Sequence, residues 1–185
     1  MKTALLLIDI QNDYFPGGKM PLKHIEGASA NAAELLSHFR STLQPTFHIQ
    51  HTSEEKSAPF FVAGSDGAKL HKSIAPGPNE KIIAKHFPNS FRESRLLEEL
   101  KKARVKRLAI CGAMSHMGID ATTRAAADLG FECLVAHDAC AAADVEFGGK
   151  KVAADKVHTA AMAALAFACA KVVPTTEIVK LCPGD

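Results

Sequence analysis

Along the chain, short apolar runs alternate with stretches in which apolar residues recur every three or four positions. TALLLIDI (3–10) is apolar without alternation, the pattern of a strand buried on both faces. From about Gly27 to Arg40, Ala30, Ala33, Leu36 and Phe39 follow helical spacing. TFHIQHT (46–52) and KIIAKHF (81–87) predict a second and a third strand. SRLLEELKKAR (94–104) predicts a helix that starts on Ser94 as N-cap, with Leu96, Leu97 and Leu100 on one face. VKRLAICGAM (105–114) is a fourth strand, followed by an amphipathic helix that stops at Gly130. FECLVAHDAC (131–140) gives a fifth strand, residues 155–170 an Ala-rich helix, and KVVPTTEIV (171–179) closes the series.

This alternation predicts an α/β fold: a three-layer, doubly wound arrangement with a six-stranded, mostly parallel sheet between helices. At 185 residues the chain reads as a single domain, 1–185, large enough to bury a sizeable core. Two connections are long for a compact domain, 53–80 and the 137–154 segment with its EFGG, and loops of that length are often functional.

Composition narrows the function classes. Apolar residues are 47% of the chain and charged ones 23%, ordinary for a globular protein. The net charge of +2 is mixed, without a basic block, so neither nucleic-acid nor membrane partners are expected. MKTALLLIDIQND breaks its apolar run at Asp9 and lacks a small-residue cleavage site, so it reads as a strand and not a targeting segment. No apolar stretch approaches the roughly 18 residues of a membrane span. Five cysteines without paired spacing, mostly inside apolar runs, fit a reducing cytoplasm. DIQNDYFPGGK lacks the spacing of a phosphate-binding glycine loop, and no cofactor is expected. His48 and His51 lie an odd number of residues apart on a strand and so face opposite sides, which speaks against a shared metal.

In open parallel sheets, ligands bind beyond the carboxyl ends of the strands. The first strand ends at Asp9, with Gln11, Asn12 and Asp13 following; the third ends at Lys85, His86 and Phe87; the fourth delivers GAMSHMG (112–118) at a helix start. A carboxylate, a lysine and unpaired helix N–H groups at one edge suit an anion or a developing oxyanion. Each residue also has a plain structural reading: Asp9 as a turn residue, Lys85 as a rim charge, Ser115 as the helix N-cap. Phe15, just past Asp9, is the preferred candidate for an apolar wall, with Asn89 as a secondary one.

LLLIDIQNDYF, IIAKHFPNSF and CGAMSHMGIDATTRAAADLG occur in this order, with LVAHDACAA and EFGG beyond them, and together they resemble the isochorismatase-like, or cysteine hydrolase, superfamily across nearly the whole chain. The resemblance implies a catalytic set at Asp9, Lys85 and Gly118, the last at the position where the family carries its cysteine nucleophile. It also implies a cis peptide at Ala113–Met114, oxyanion donors in the N–H groups of Met114 and Gly118, and substrate contacts at Phe15, Asn89, Met114 and Ser115. A homodimer or larger assembly, with loop 53–80 near the neighbour, is implied as well.

A glycine at the nucleophile position closes the covalent route of the cysteine amidohydrolases, in which a thiolate attacks an amide or nitrile carbon. True isochorismatases also carry glycine there. They hydrolyse a vinyl ether to pyruvate and a dihydroxybenzoate-type product, which calls for a carboxylic acid. On that reading Asp9 is the general acid and Lys85 binds a substrate carboxylate or enolpyruvyl oxygen. The aromatic residue near Met114 and the basic one near HFPNSF usual in isochorismatases are absent. Three readings stay open: an enzyme working without a thiol, a cysteine amidohydrolase whose nucleophile is replaced by Gly118, and a small-molecule-binding relative without catalysis.

Overall fold

The computed structural model describes residues 1–184. Six strands form one parallel sheet: β1 (Thr3–Ile8), β2 (Thr46–His51), β3 (Lys81–Lys85), β4 (Arg107–Ala113), β5 (Glu132–Ala141) and β8 (Lys171–Val173), in spatial order β3-β2-β1-β4-β5-β8. A separate antiparallel hairpin, β6 (Val145–Phe147) with β7 (Lys150–Val152), turns at Gly148 and Gly149. It occupies part of the connection that reads from sequence as a long loop. Its strands, three residues each, give the alternation rule too few positions to act on.

The apolar run of β1 is buried on both faces because its side chains serve two cores in turn. Leu5 and Leu7 join α1 (Ile25–Ser41) and α5 (Thr175–Leu181), while Leu6 and Ile8 join α2 (Leu96–Lys102), α3 (Asp120–Asp128) and α4 (Ala154–Ala168). The period of two along each central strand thus divides the helices into two layers. On α1, Ala28, Ala32, Leu35, Leu36 and Phe39 are the buried stripe. α2 begins two residues after Ser94, whose Oγ accepts the Leu96 N–H at 3.2 Å. KVVPTTEIV divides at Pro174 into strand β8 and helix α5.

From β1 the chain winds outward to β2 and β3, then returns to the other side of β1 with β4, β5 and β8. The reversal of strand order lies between β1 and β4, where doubly wound sheets open a crevice at their carboxyl edge. At this point β4 runs close against β1. Gly112 has φ +125°, and a Cβ on it would stand 2.0 Å from the Ile8 carbonyl oxygen. The strand leaves this contact through a cis peptide at Ala113–Met114. Ser115–Ile119 then form a π-helical turn ahead of α3, where the sequence pattern predicts a regular first turn.

Candidate active site

Asp9 follows β1 directly, at φ +52°. Its N–H donates to the Ile49 carbonyl (3.0 Å) and its own carbonyl accepts from Gln11 N–H (2.9 Å). Non-glycine residues are uncommon in this left-handed region, and aspartate is among those that tolerate it best. The carboxyl group is nearly enclosed, with the residue 4% exposed.

Lys85 closes β3, in register with His51 at the end of β2, so its side chain crosses the end of β2 to reach Asp9. Nζ donates to Asp9 Oδ2 (2.7 Å), to the Phe87 carbonyl (3.2 Å) and to His51 Nδ1 (3.4 Å). An ammonium has three protons and no acceptor, so these contacts occupy all of it and fix His51 as the neutral Nε2–H tautomer. Burial first, and the Lys85 charge second, push the His51 pKa down to about 4. The sequence reading of Lys85 as a hook for a substrate oxygen therefore needs correction. With every proton engaged inside the protein, Lys85 is a clamp on Asp9.

Asp9 Oδ1 is buried with no partner among the described residues. Burial raises the Asp9 pKa above the ordinary carboxylate value, against the lowering effects of the Lys85 charge and hydrogen bond. A buried carboxylate with one oxygen unbonded is costly as an anion, and Oδ1 is the seat for a proton. Gly118 lies alongside. A Cβ there would stand 3.1 Å from both Asp9 Oδ2 and the Ala113 carbonyl oxygen, and 3.4 Å from Ile8 Cγ2. The Met114 carbonyl accepts the N–H groups of Met117 (3.0 Å) and Ile119 (3.2 Å), stepping over that of Gly118.

A small cleft of about 80 Å³ opens onto these groups. Asp9, Lys85, His51 and Gly118 supply its polar floor, and Met114, Met117 and Pro88 one side. The opposite wall is aromatic: Tyr14, Phe60 and Phe61, with ring centroids 4.6 Å (Tyr14–Phe61) and 5.0 Å (Phe60–Phe61) apart. Burial, and then the charges of Asp9 and Asp13, raise the pKa of the Tyr14 phenol, which stays protonated.

Phe60 and Phe61 of the aromatic wall belong to the long 53–80 connection, which the residues after Asp9 tie down. Gln11 Nε2 donates to the carbonyls of His51 and Ala68 (both 2.8 Å), and its Oε1 accepts the His51 N–H (2.8 Å). Asn12 Nδ2 donates to the Asp66 carbonyl (2.9 Å), and Asp13 Oδ2 accepts the Phe61 N–H (2.7 Å). The run QND, which reads from sequence as residues following a strand, is thus the anchor for the cleft wall.

Three expected substrate contacts fall elsewhere. The 3-10 turn Asn12–Tyr14 presents Tyr14 to the cleft, and Phe15 instead stacks on His71 with ring centroids 3.6 Å apart. Asn89 Oδ1 accepts the Phe91 N–H (2.9 Å) in a local turn, and Pro88 takes the place at the rim. Ser115 neither caps the helix nor meets the cleft; it is buried behind the turn, against Ala141 and His158. Met117 belongs to the Met114–Gly118 turn that the sequence placed at the site. Tyr14, His51, Phe60 and Phe61 were not singled out as site residues by sequence reasoning, and Phe60 and Phe61 lie in a loop without periodicity. His48 and His51 do face opposite sides: His48 Nε2 bonds Glu80 (2.8 Å), while His51 faces Lys85. Among the described residues, no group of three His, Cys, Asp or Glu side chains is arranged to hold a metal.

The family model for the isochorismatase domain matches residues 3–177. The chain belongs to the isochorismatase family. It is 49% identical over 180 residues to the isochorismatase family protein YddQ of Bacillus subtilis, covering 97% of this chain and all of that one. An isochorismatase-hydrolase structure from Oleispira antarctica superposes with a TM-score of 0.93 at 51% identity, covering 97% of this chain and 96% of the other. Streptothricin hydrolase of Streptomyces noursei is 30% identical over 142 residues, 77% of this chain and 55% of that protein. The chain is thus an isochorismatase-family hydrolase, an enzyme.

Proposed function

We propose that this hydrolase cleaves a vinyl ether of the isochorismate type, with Asp9 as general acid and no covalent intermediate. The observation that carries the reading is the asymmetry of Asp9: Oδ2 is clamped by Lys85 and faces Gly118, a position with no side chain, while Oδ1 is buried and unpartnered. A protonated Oδ1 delivers its proton to the methylene carbon of the enol ether, leaving an oxocarbenium carbon. Water adds to that carbon and returns a proton to Asp9. The hemiketal then collapses to pyruvate and the free alcohol, consuming one water overall. A raised carboxyl pKa serves this step, as it does in other acids kept neutral by burial. The aromatic wall of Tyr14, Phe60 and Phe61 suits a flat cyclohexadiene ring, and His51 Nε2–H is a neutral donor for a substrate carboxylate.

Pyruvate release from isochorismate, followed by a coupled lactate dehydrogenase assay, tests the reading; no release above the uncatalysed rate ends it. The relation to streptothricin hydrolase favours a second reading, amide hydrolysis at a position now lacking its thiol. Gly118→Cys separates the two. The new Cβ must push against Asp9 Oδ2 and the Ala113 carbonyl, and its thiol would occupy substrate space. On the vinyl-ether reading, pyruvate release falls in this variant. A gain of amide or ester cleavage, with rapid alkylation by iodoacetamide, supports the second reading instead.

A further inference from the structure

The turn that carries Gly118 is held from behind by a residue of α4. Ser115 opens the turn, fully buried, with Oγ 3.1 Å from the Ala141 carbonyl oxygen and 2.8 Å from His158 Nδ1. A carbonyl only accepts, and a hydroxyl has one proton to give. Both bonds exist together only if Ser115 donates to Ala141 and His158 donates its Nδ1–H to Ser115. We propose that His158 is a positioning residue for the reaction, holding the Met114–Gly118 backbone against the substrate through a Nδ1–H···Oγ bond to Ser115.

The proposal rests on the reading above that this turn faces the substrate. His158 does not line the cleft beside Asp9; it lines a second cavity of about 280 Å³ between α1, β5 and α4. There it meets His137, His24 and Asp155, and burial lowers its pKa so that the ring is neutral near pH 7. A neutral imidazole must choose a tautomer, and the bond to Ser115 selects Nδ1–H, the less common form in water. α4 is a firm base for such a prop, since Ala154, Ala161, Met162 and Leu165 are buried beneath it. The prop links two helices and a strand end. α4 presses through His158 on Ser115, Ser115 is pinned to β5 at Ala141, and Gly118 follows within the same turn.

Nitrogen NMR on the full-length labelled protein reads the tautomer directly, before any substitution. The expected result is protonated Nδ1 and unprotonated Nε2 on His158. His158→Ala then shifts the Gly118 amide resonance and lowers kcat for pyruvate release with KM unchanged. The loss is about tenfold or more, approaching the ~10²-fold that a misplacement of about 1 Å costs. His158→Asn, whose amide nitrogen sits near the place of Nδ1, restores both the resonance and kcat, while His158→Gln, which reaches toward the place of Nε2, does not. An Nε2–H tautomer in the wild-type protein overturns the proposal. So does a His158→Ala variant with wild-type Gly118 resonance and kcat, or a His158→Asn variant no better than His158→Gln. If the wild-type protein releases no pyruvate, the vinyl-ether reading alone falls, and the tautomer and the Gly118 resonance still decide the role of His158.

Discussion

Two enclosed carboxyl groups, Asp9 and Glu80, sit at opposite edges of the same sheet and face opposite fates. Glu80, just ahead of β3, accepts from Arg40 Nε (2.6 Å) and Nη2 (2.8 Å), His48 Nε2 (2.8 Å) and the Gly77 N–H (2.7 Å). Four donors make the anion comfortable, and the Arg40 bond foremost pulls its pKa to about 2. Asp9, just beyond β1, has a single donor, Lys85, on one oxygen and none on the other. Burial therefore wins there, and the pKa rises. A cation beside a carboxylate does not decide its protonation; the number of donors set against desolvation does. At the amino edge the protein completes the shell and obtains a structural anchor. At the carboxyl edge it leaves the shell incomplete, and the carboxyl pKa rises.

The largest effect that the contrast predicts is at Asp9 itself. Asp9→Asn keeps an acceptor for Lys85 but has no transferable proton, and turnover should fall by roughly 10²–10⁴-fold, the usual worth of a general acid. Full activity in this variant removes Asp9 from the chemistry. Lys85→Met tests the clamp. Lys85 lowers the Asp9 pKa, so removing it lets burial act unopposed. Because the protonated acid is the working form, turnover declines as pH rises through the Asp9 pKa. In Lys85→Met this decline should move to higher pH, because the adjacent opposite charge that lowers the Asp9 pKa is gone. A decline that stays in place, or moves to lower pH, contradicts the assignment of Asp9 as the acid.

The same contrast explains what was legible in the sequence. TALLLIDI and RLAIC announce buried strands because side chains on both faces enter cores. The strand-end rule then leads to the edge holding Asp9, Lys85 and the 112–118 turn, while Gly118 as a catalytic position comes from the family resemblance. What periodicity cannot convey is which way a residue outside a regular element points. Phe15 and Tyr14 are adjacent, and a single 3-10 turn decides that Tyr14 joins the cleft while Phe15 stacks on His71. The π-helical turn rotates Ser115 behind the site in the same way. Phe60 and Phe61 arrive from more than forty residues away along a loop with no pattern of its own, held by bonds that Gln11 and Asn12 donate and by the Phe61 N–H bond that Asp13 accepts. The number of acceptors around Lys85 is likewise a three-dimensional property, and it turned an expected substrate hook into a clamp.

The smallest effect probes Glu80, the other half of the comparison, through stability. In Glu80→Gln one side of the amide must present N–H groups to donors from Arg40 or from His48 and Gly77, so bonds are lost without emptying any space. A fall in pKa from 4.5 to about 2 corresponds to on the order of 3 kcal/mol in favour of the anion. Arg40 is 43% exposed while Glu80 is only 13% exposed, so water screens part of that attraction. A loss of about 2 kcal/mol at neutral pH follows, or roughly 4–8 °C in Tm for a chain of this size. The sign with pH is fixed by the lowered pKa. The contribution of Glu80 is present in full above about 4.5, the ordinary carboxyl value, and disappears as pH falls through the folded-state value of about 2. The gap in Tm between the wild-type protein and Glu80→Gln should thus be widest near neutral pH and narrow between about pH 4.5 and pH 2. Pyruvate release stays at the wild-type rate throughout the folded range, since Glu80 lies at the edge of the sheet opposite the cleft. A gap independent of pH would mean that the four donors hold Glu80 by shape and not by charge, and the two carboxyl groups would then differ in packing more than in protonation.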